Sequence, residues 1–255
     1  MRGTLVICPD LESLSREAAR RFVAAVAETL KDRAESFSVA LSGGATPRRF
    51  YELLASDEFR PKIPWTRLHI FWGDERMVSH DHAESNYRVA REALLIHVPL
   101  PSQNVHAIAA HTSAEQAALA YEQELRTHFG RWGRPVFDLV LLGLGADGHT
   151  ASLFPGAAAL EEKQRWVVAH VRGVNQHARV TLTLPVFNQA RRLFFLVTGK
   201  EKASALQAAL AGGNHWPAQR VNPEKGELVF LVDAAATAKL DRLRVEVAAP
   251  SEAPA

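Results

Sequence analysis

The sequence predicts an α/β fold in which helices flank a mostly parallel sheet. Strand and helix patterns alternate along the chain, as they do in proteins of this class. The run FDLVLLGLG (137–145) is apolar except for Asp138, which is typical of a strand buried on both faces of a parallel sheet. The 255 residues fit one large domain, and the single cysteine, Cys8, excludes an internal disulfide. We expect one domain over residues 1–248 and a frayed tail over 249–255.

The strands are predicted from short runs that are rich in apolar and β-branched residues. In chain order these runs are TLVIC (4–8), SFSVAL (36–41), LHIFW (68–72), FDLVLLGLG (137–145), RWVVAHV (165–171), RVTLTL (179–184), RLFFLVTG (192–199) and ELVFLVD (227–233).

The helices are predicted from apolar residues that recur every three or four positions and from capping signals. Thr46 and Pro47 resemble an N-cap followed by the first helical residue. Ser113 and Gln116 match a capping box. The predicted helices cover residues 11–30, 47–54, 86–95, 117–129, 201–210 and 234–240.

Four of the predicted strands end in polar or glycine-rich loops. In parallel sheets, ligands bind beyond the carboxyl ends of the strands. Convergence of four such ends is a stronger indication of a ligand site than any one loop. The loops are SGGAT (42–46), GDER (73–76), GLGADGH (143–149) and TGK (198–200).

The third loop raises an alternative, because Gly143, Gly145 and Gly148 spell the G-x-G-x-x-G pattern of dinucleotide-binding proteins. That site requires a long helix after the third glycine, whereas Pro155 interrupts the chain after barely two turns. The next strand ends near Arg172 rather than at an acidic residue, which leaves NADP open on that point alone.

The favoured interpretation is that these glycines let the backbone turn sharply and approach a ligand. His149 follows them, and Asp147 stands two residues before it. A carboxylate beside an imidazole suits proton transfer near neutral pH. A surface loop capped by Asp147 or Thr150 is the alternative.

The first loop has the composition of a phosphate cradle, although an ordinary strand-to-helix turn is equally compatible with it. Hydroxyls come from Ser42 and Thr46, and Gly43 and Gly44 leave their N–H groups accessible. Lys200, Arg179 and Arg76 are candidate cationic partners for an anion. An ion pair within the GDER loop is the alternative for Arg76.

Composition excludes several classes of function. Lys and Arg number 30 against 28 Asp and Glu, and no basic cluster is interleaved with aromatics, so nucleic-acid binding is not expected. No apolar run reaches membrane-spanning length and no signal peptide is visible, so a cytoplasmic protein is expected. The HDH triplet (80–82) has no third ligand at a suitable spacing, and no metal is expected.

Beyond these patterns, six segments together resemble the bacterial 6-phosphogluconolactonases over nearly the whole chain. They are LSGGATPRRFYELL, FWGDERMV, SNYR, LLGLGADGHTASLFPG, RVTLTLPVFN and LVTGKEKA. The resemblance implies the Rossmann-like fold shared with glucosamine-6-phosphate deaminases and ribose-5-phosphate isomerases. It implies a carboxylic ester hydrolase that converts 6-phospho-D-glucono-1,5-lactone to 6-phospho-D-gluconate, the second step of the oxidative pentose phosphate pathway. No metal or organic cofactor is expected, the only partner is the sugar-phosphate lactone, and a monomer is the expected state.

The resemblance also assigns roles to residues. His149 matches the general base, Asp147 stands beside it, and Arg76 matches an active-site arginine. The phosphate site comprises Ser42, Gly43, Gly44, Thr46, Arg179 and Lys200. The related deaminases have DEY and an acidic residue after the histidine motif, whereas this chain has DER and ASLFPG, which favours the lactonase.

Overall fold

The computed structural model describes residues 3–32, 35–130, 133–171 and 176–240. All eight predicted strands are present within it, and one further short strand follows the third. The strands are β1 (Thr4–Cys8), β2 (Phe37–Leu41), β3 (Leu68–Trp72), β4 (Asp74–Arg76), β5 (Leu139–Leu142), β6 (Val167–His170), β7 (Arg179–Leu182), β8 (Arg192–Val197) and β9 (Glu227–Asp233).

Six strands form the main sheet in the order β1-β9-β8-β5-β2-β3, and every neighbouring pair is parallel. The central strands β2 and β5 are buried at every residue, as the apolar runs predict. The α/β class and the mostly parallel sheet are thereby confirmed.

A second sheet of three antiparallel strands, β4-β7-β6, adjoins the first. The chain passes between the sheets at Gly73. Its N–H donates to the Leu41 carbonyl in the main sheet (2.8 Å), and its carbonyl accepts from the Leu182 N–H in the second sheet (2.9 Å). This crossing carries β4, and with it Arg76, over the carboxyl end of the main sheet.

Helices flank the sheets: α1 (Leu11–Asp32), α2 (Ala45–Ala55), α3 (Asn86–Ala93), α4 (Ala114–Phe129), α5 (Leu184–Phe187), α6 (Ala203–Ala211) and α7 (Pro217–Arg220). The Ser113–Gln116 capping box before α4 is present as predicted. None of the described helices combines the length and the apolar character needed to cross a bilayer.

Two helix predictions are wrong. The segment 234–240 forms only a single 3₁₀ turn, Ala235–Thr237, because it is too short to sustain a helix and only Ala236 in that turn is buried. Helix α2 is capped by Gly44, not by Thr46, and the φ of 106° at this cap favours glycine. Thr46 and Pro47 therefore lie inside the first turn of α2.

One continuous cluster of buried apolar side chains extends from Leu5 to Ala236. Two buried tyrosines bind the backbone at the carboxyl ends of β2 and β3. Tyr51 of α2 donates to the carbonyl of Ser42 (2.6 Å) and accepts from its N–H (3.1 Å). Tyr121 of α4 makes the same pair of bonds with Trp72. The predicted domain end at 248 and the tail 249–255 lie outside the described residues.

Candidate active site

The four loops singled out in the sequence follow β2, β3, β5 and β8. These four strands are consecutive in the main sheet, in the order β8-β5-β2-β3, so their carboxyl ends meet at one edge. A cavity of about 390 Å³ opens there. Its lining includes seven of the nine predicted site residues: Ser42, Gly43, Gly44, Thr46, Arg76, His149 and Arg179.

The loop after β2 packs closely against Asn86. A Cβ at Gly43 would lie 1.7 Å from Oδ1 of Asn86, so no larger residue fits there. The Gly44 cap makes no side-chain hydrogen bond to the first turn of α2. Helix N-termini carry exposed N–H groups and a partial positive charge, so this end of α2 is suited to an anion in the cavity. Thr46 Oγ1 lies 2.7 Å from Thr198 Oγ1, which joins this loop to the one after β8.

On the opposite side of the cavity, His149 and Asp147 form a hydrogen-bonded pair. Nδ1 of His149 lies 2.5 Å from Oδ1 of Asp147. Burial opposes the ionisation of Asp147, but the hydrogen bond and charge of His149 outweigh it and lower the pKa of Asp147 below its ordinary value. An ionised Asp147 accepts a hydrogen bond from Nδ1–H, which leaves Nε2 as the nitrogen with a free lone pair.

The loop that carries this pair depends on Gly145. A Cβ at Gly145 would lie 2.0 Å from Nδ1 of His149 and 2.6 Å from Oδ1 of Asp147. The backbone closes on itself there, because Gly145 N–H donates to the His149 carbonyl (2.8 Å). The glycine thus provides room for the pair to sit against the backbone.

No α-helix starts at Gly148: residues 149–157 form turns and one short bridge, and Ala151 has a left-handed φ of 47°. The strand after it, β6, belongs to the second sheet rather than beside β5. Both facts speak against a dinucleotide turn, which needs a helix and a parallel strand at these places. Arg172, which left NADP open, lies outside the described residues.

In the GDER segment, the Glu75 carboxylate has a structural role. Buried Glu75 accepts hydrogen bonds from the N–H groups of Arg76, Asn86 and Tyr87 and from the Ser85 hydroxyl, which ties β4 to the start of α3. Burial raises the pKa of Glu75 despite these donors. Among the described residues, this network holds Glu75, and the alternative interpretation, an ion pair within the GDER loop, is not observed.

Asp74 and Asn86 line the cavity, and sequence reasoning missed both as site residues. Asp74 accepts from the Ser152 hydroxyl (2.6 Å) and from the Asn86 amide (3.2 Å). The Asn86 oxygen is buried without a hydrogen-bond partner beside Gly43. The SNYR segment was the available signal for Asn86.

Two arginines face the cavity from adjacent strands. Arg76 of β4 and Arg179 of β7 are direct partners across the second sheet. Like charges at such positions repel each other, and an anion between them would relieve the repulsion. Arg76 donates to the Glu84 carbonyl (2.6 Å), while its buried Nε has no partner. Arg76 and Arg179 thus make the part of the cavity wall formed by β4 and β7 cationic.

Two predicted residues do not line the cavity. Asp147 lies behind His149, as described above. Lys200 is exposed in the 3₁₀ turn Lys200–Lys202, and Lys202 of the same turn lines the cavity together with Glu201. Lys202 is thus a third site residue that sequence reasoning missed, after Asp74 and Asn86. Within the HDH triplet, His80 bonds to the Ile108 carbonyl, and His82 accepts from the Glu84 N–H and contacts the His177 ring.

These features define a class: an α/β protein with a cation-lined, polar ligand site at the carboxyl ends of parallel strands. A family described as glucosamine-6-phosphate isomerases/6-phosphogluconolactonase matches residues 9–230. A Nostoc sp. 6-phosphogluconolactonase is 38% identical over 248 residues, which cover 94% of this chain and 99% of that protein. The Synechocystis sp. 6-phosphogluconolactonase is 46% identical over 204 residues, 77% of this chain and 81% of that protein.

Solved structures agree with these relatives. The 6-phosphogluconolactonase from Trypanosoma brucei superposes with a TM-score of 0.83 at 32% identity and covers 94% of this chain and 99% of its own. A monomeric glucosamine-6-phosphate deaminase reaches a TM-score of 0.76 at 20% identity, over 91% of this chain and 98% of its own, and thus shares the fold. The chain belongs to the glucosamine-6-phosphate isomerase/6-phosphogluconolactonase family.

Proposed function

We propose that this chain hydrolyses 6-phospho-D-glucono-1,5-lactone to 6-phospho-D-gluconate, with His149 as the general base. The observation that carries the proposal is the His149–Asp147 pair on one side of a cavity whose other side is built for an anion. The names of the curated relatives support the same reaction.

The phosphate is assigned to the Ser42–Thr46 loop, where the N-terminus of α2, the hydroxyls and the glycine N–H groups meet. Arg179 and a lysine of the Lys200–Lys202 turn supply the positive charge. The placement of Lys202 in the cavity lining favours it over Lys200. Charge-assisted contacts to a remote phosphate orient the reacting carbonyl.

In the reaction, Nε2 of His149 accepts a proton from a water molecule while the water oxygen attacks the lactone carbonyl. Asp147 holds the ring through Nδ1 and stabilises the imidazolium that forms. The negative charge that develops on the carbonyl oxygen needs donors, and we assign this role to Arg76 of the cavity lining. When the ring C–O bond breaks, the imidazolium returns its proton to the departing ring oxygen.

The competing function is deamination of glucosamine 6-phosphate, which the shared fold permits. Freshly prepared lactone should be hydrolysed with acid release well above the spontaneous rate, and no ammonia should form from glucosamine 6-phosphate. Ammonia release with an unchanged rate of lactone hydrolysis would overturn the proposal. Saturable NADPH fluorescence changes without lactone turnover would instead revive the dinucleotide interpretation.

A monomeric state and a cytoplasmic location belong to the same proposal. A small phosphorylated substrate is consistent with an intracellular enzyme that acts alone.

A further inference from the structure

Three histidines from different elements meet at the edge of the main sheet. His69 lies in β3, His106 follows it along the chain after a 3₁₀ turn, and His128 lies in the last turn of α4. One ring nitrogen of each histidine lies within 4.8 Å of the chosen nitrogens of the other two, and all three residues are half-buried. This histidine cluster is the one group of at least three metal-ligating side chains found in the described part of the chain.

Both ring nitrogens of His106 have a partner within hydrogen-bonding distance. Nε2 of His106 lies 3.0 Å from Nδ1 of His69, while its other nitrogen, Nδ1, lies 2.7 Å from a carboxylate oxygen of Glu124. Histidines that bind metals ordinarily hydrogen-bond a carboxylate or carbonyl through their second nitrogen. Glu124 has that relation to His106.

The cluster is also held rigidly. The backbone N–H of His106 donates to the Ile70 carbonyl (2.8 Å), which fixes this segment beside β3. Phe71 stacks on the His106 ring with centroids 4.2 Å apart and nearly parallel planes, and it contacts His128 at its edge. These contacts hold the His106 ring in place beside β3.

His69 and His128 favour the neutral form that a metal requires. Burial, with the neighbouring imidazoles, lowers the pKa of His128 to about 4, and the same causes lower the pKa of His69. Unprotonated rings keep a lone pair on one nitrogen. Two nitrogens 3.0 Å apart can both lie at the usual Zn–N distance of about 2.0–2.1 Å from one ion.

We propose that His69, His106 and His128 bind a divalent transition-metal ion of the zinc class, with Glu124 orienting His106. Imidazole nitrogen selects Zn²⁺, Ni²⁺ or Cu²⁺ over Mg²⁺ and Ca²⁺, which prefer oxygen. The ion would fasten the end of α4 to the edge strand. The site is separate from the active-site cavity: none of its four residues lines that cavity, and His69 lies four residues before Gly73, about 13 Å along an extended strand.

Calorimetric titration of the chelator-treated full chain with Zn²⁺ tests the proposal, with Mg²⁺ as the comparison ion. We expect saturable binding of one Zn²⁺ per chain and none of Mg²⁺. At a free Zn²⁺ concentration about 100-fold above Kd, the melting temperature should rise by about 5–10 °C. Replacing Zn²⁺ with Co²⁺ should give visible ligand-field bands from nitrogen coordination.

Matched variants locate the ion. His128→Ala should abolish the binding and the thermal shift, and Glu124→Gln should weaken the affinity about 10- to 100-fold. His177→Ala is the control, because that exposed histidine also pairs with a glutamate, Glu84, but lies outside the cluster. Since Glu124→Gln keeps a hydrogen-bonding group, it also covers the case in which His128→Ala fails to fold. Absence of Zn²⁺ binding by the wild type, or unchanged Zn²⁺ binding in a folded His128→Ala variant, would overturn the proposal. If His128→Ala does not fold, unchanged affinity in Glu124→Gln would overturn it.

Discussion

Replacing Lys202 with Ala tests how the cavity holds a phosphate. The Lys202 side chain lies half-buried in the cavity lining, whereas Lys200, two residues earlier in the same 3₁₀ turn, is exposed and outside it. The pair therefore offers two substitutions of the same kind in one turn, of which only one removes a cation from the cavity.

The expected loss follows from the kind of contact. A hydrogen bond to a charged group contributes about 1.5–3 kcal/mol, which corresponds to roughly a 10- to 100-fold fall in kcat/KM for the phosphorylated lactone. Lys200→Ala should cost about twofold or less, since an exposed charge is screened by solvent.

The assay compares kcat/KM for 6-phosphogluconolactone and for unphosphorylated gluconolactone in both variants. Lys202→Ala should affect the phosphorylated substrate far more than the unphosphorylated one. Equal losses on the two substrates would remove Lys202 from the phosphate site. A larger loss in Lys200→Ala would transfer the role to Lys200.

Three further substitutions test other parts of the account. Gly145→Ala should lower kcat by on the order of 10- to 100-fold with little change in melting temperature, because its methyl group would lie 2.0 Å from Nδ1 of His149; kinetics that match the wild type would refute this. Tyr51→Phe should reduce the free energy of unfolding by about 1–3 kcal/mol, because the backbone N–H and C=O of Ser42 both lose the tyrosine hydroxyl as their buried partner. An unchanged urea midpoint would contradict this prediction. Glu122→Gln should cost about 1.5–3 kcal/mol at pH 7, because Glu122 binds Arg126, Arg165 and the N–H groups at the start of β6. Folding lowers the pKa of Glu122. The stability that Glu122 gives the folded protein is therefore present above the ordinary carboxyl pKa of about 4.3 and is lost as the pH falls below it. The urea midpoints of variant and wild type should accordingly converge in acid.

The sheet could be predicted from the sequence because buried parallel strands are continuous apolar runs. The segments that became β2 and β5 contain almost no polar residue, and the structure buries them completely. The site's location followed from the same strands, since loops at their carboxyl ends must share one edge. Element ends were harder: the alanine-rich segment 234–240 has helix propensity but too few residues to sustain a helix.

Contacts between distant elements account for what the sequence could not reveal. Asn86 reads as the first residue of a helix, and only the fold places its oxygen against Gly43. Lys200 and Lys202 are equally plausible until the 3₁₀ turn decides which one faces the cavity. The histidine cluster combines positions 69, 106 and 128, which share no local spacing.

The central claim, that His149 is the general base, is tested most directly by the turnover of His149→Gln on saturating phosphogluconolactone. General-base catalysis contributes about 10²–10⁴ in rate, so kcat should fall by that order while the affinity for the product, 6-phosphogluconate, changes little. Wild-type kcat should decline on the acidic side, because only a neutral imidazole accepts a proton from water, and Asp147→Asn should lose less activity than His149→Gln. A folded His149→Gln protein with near-normal kcat would contradict the account. Weaker binding of 6-phosphogluconate by His149→Gln, together with a wild-type kcat that does not fall in acid, would contradict it as well.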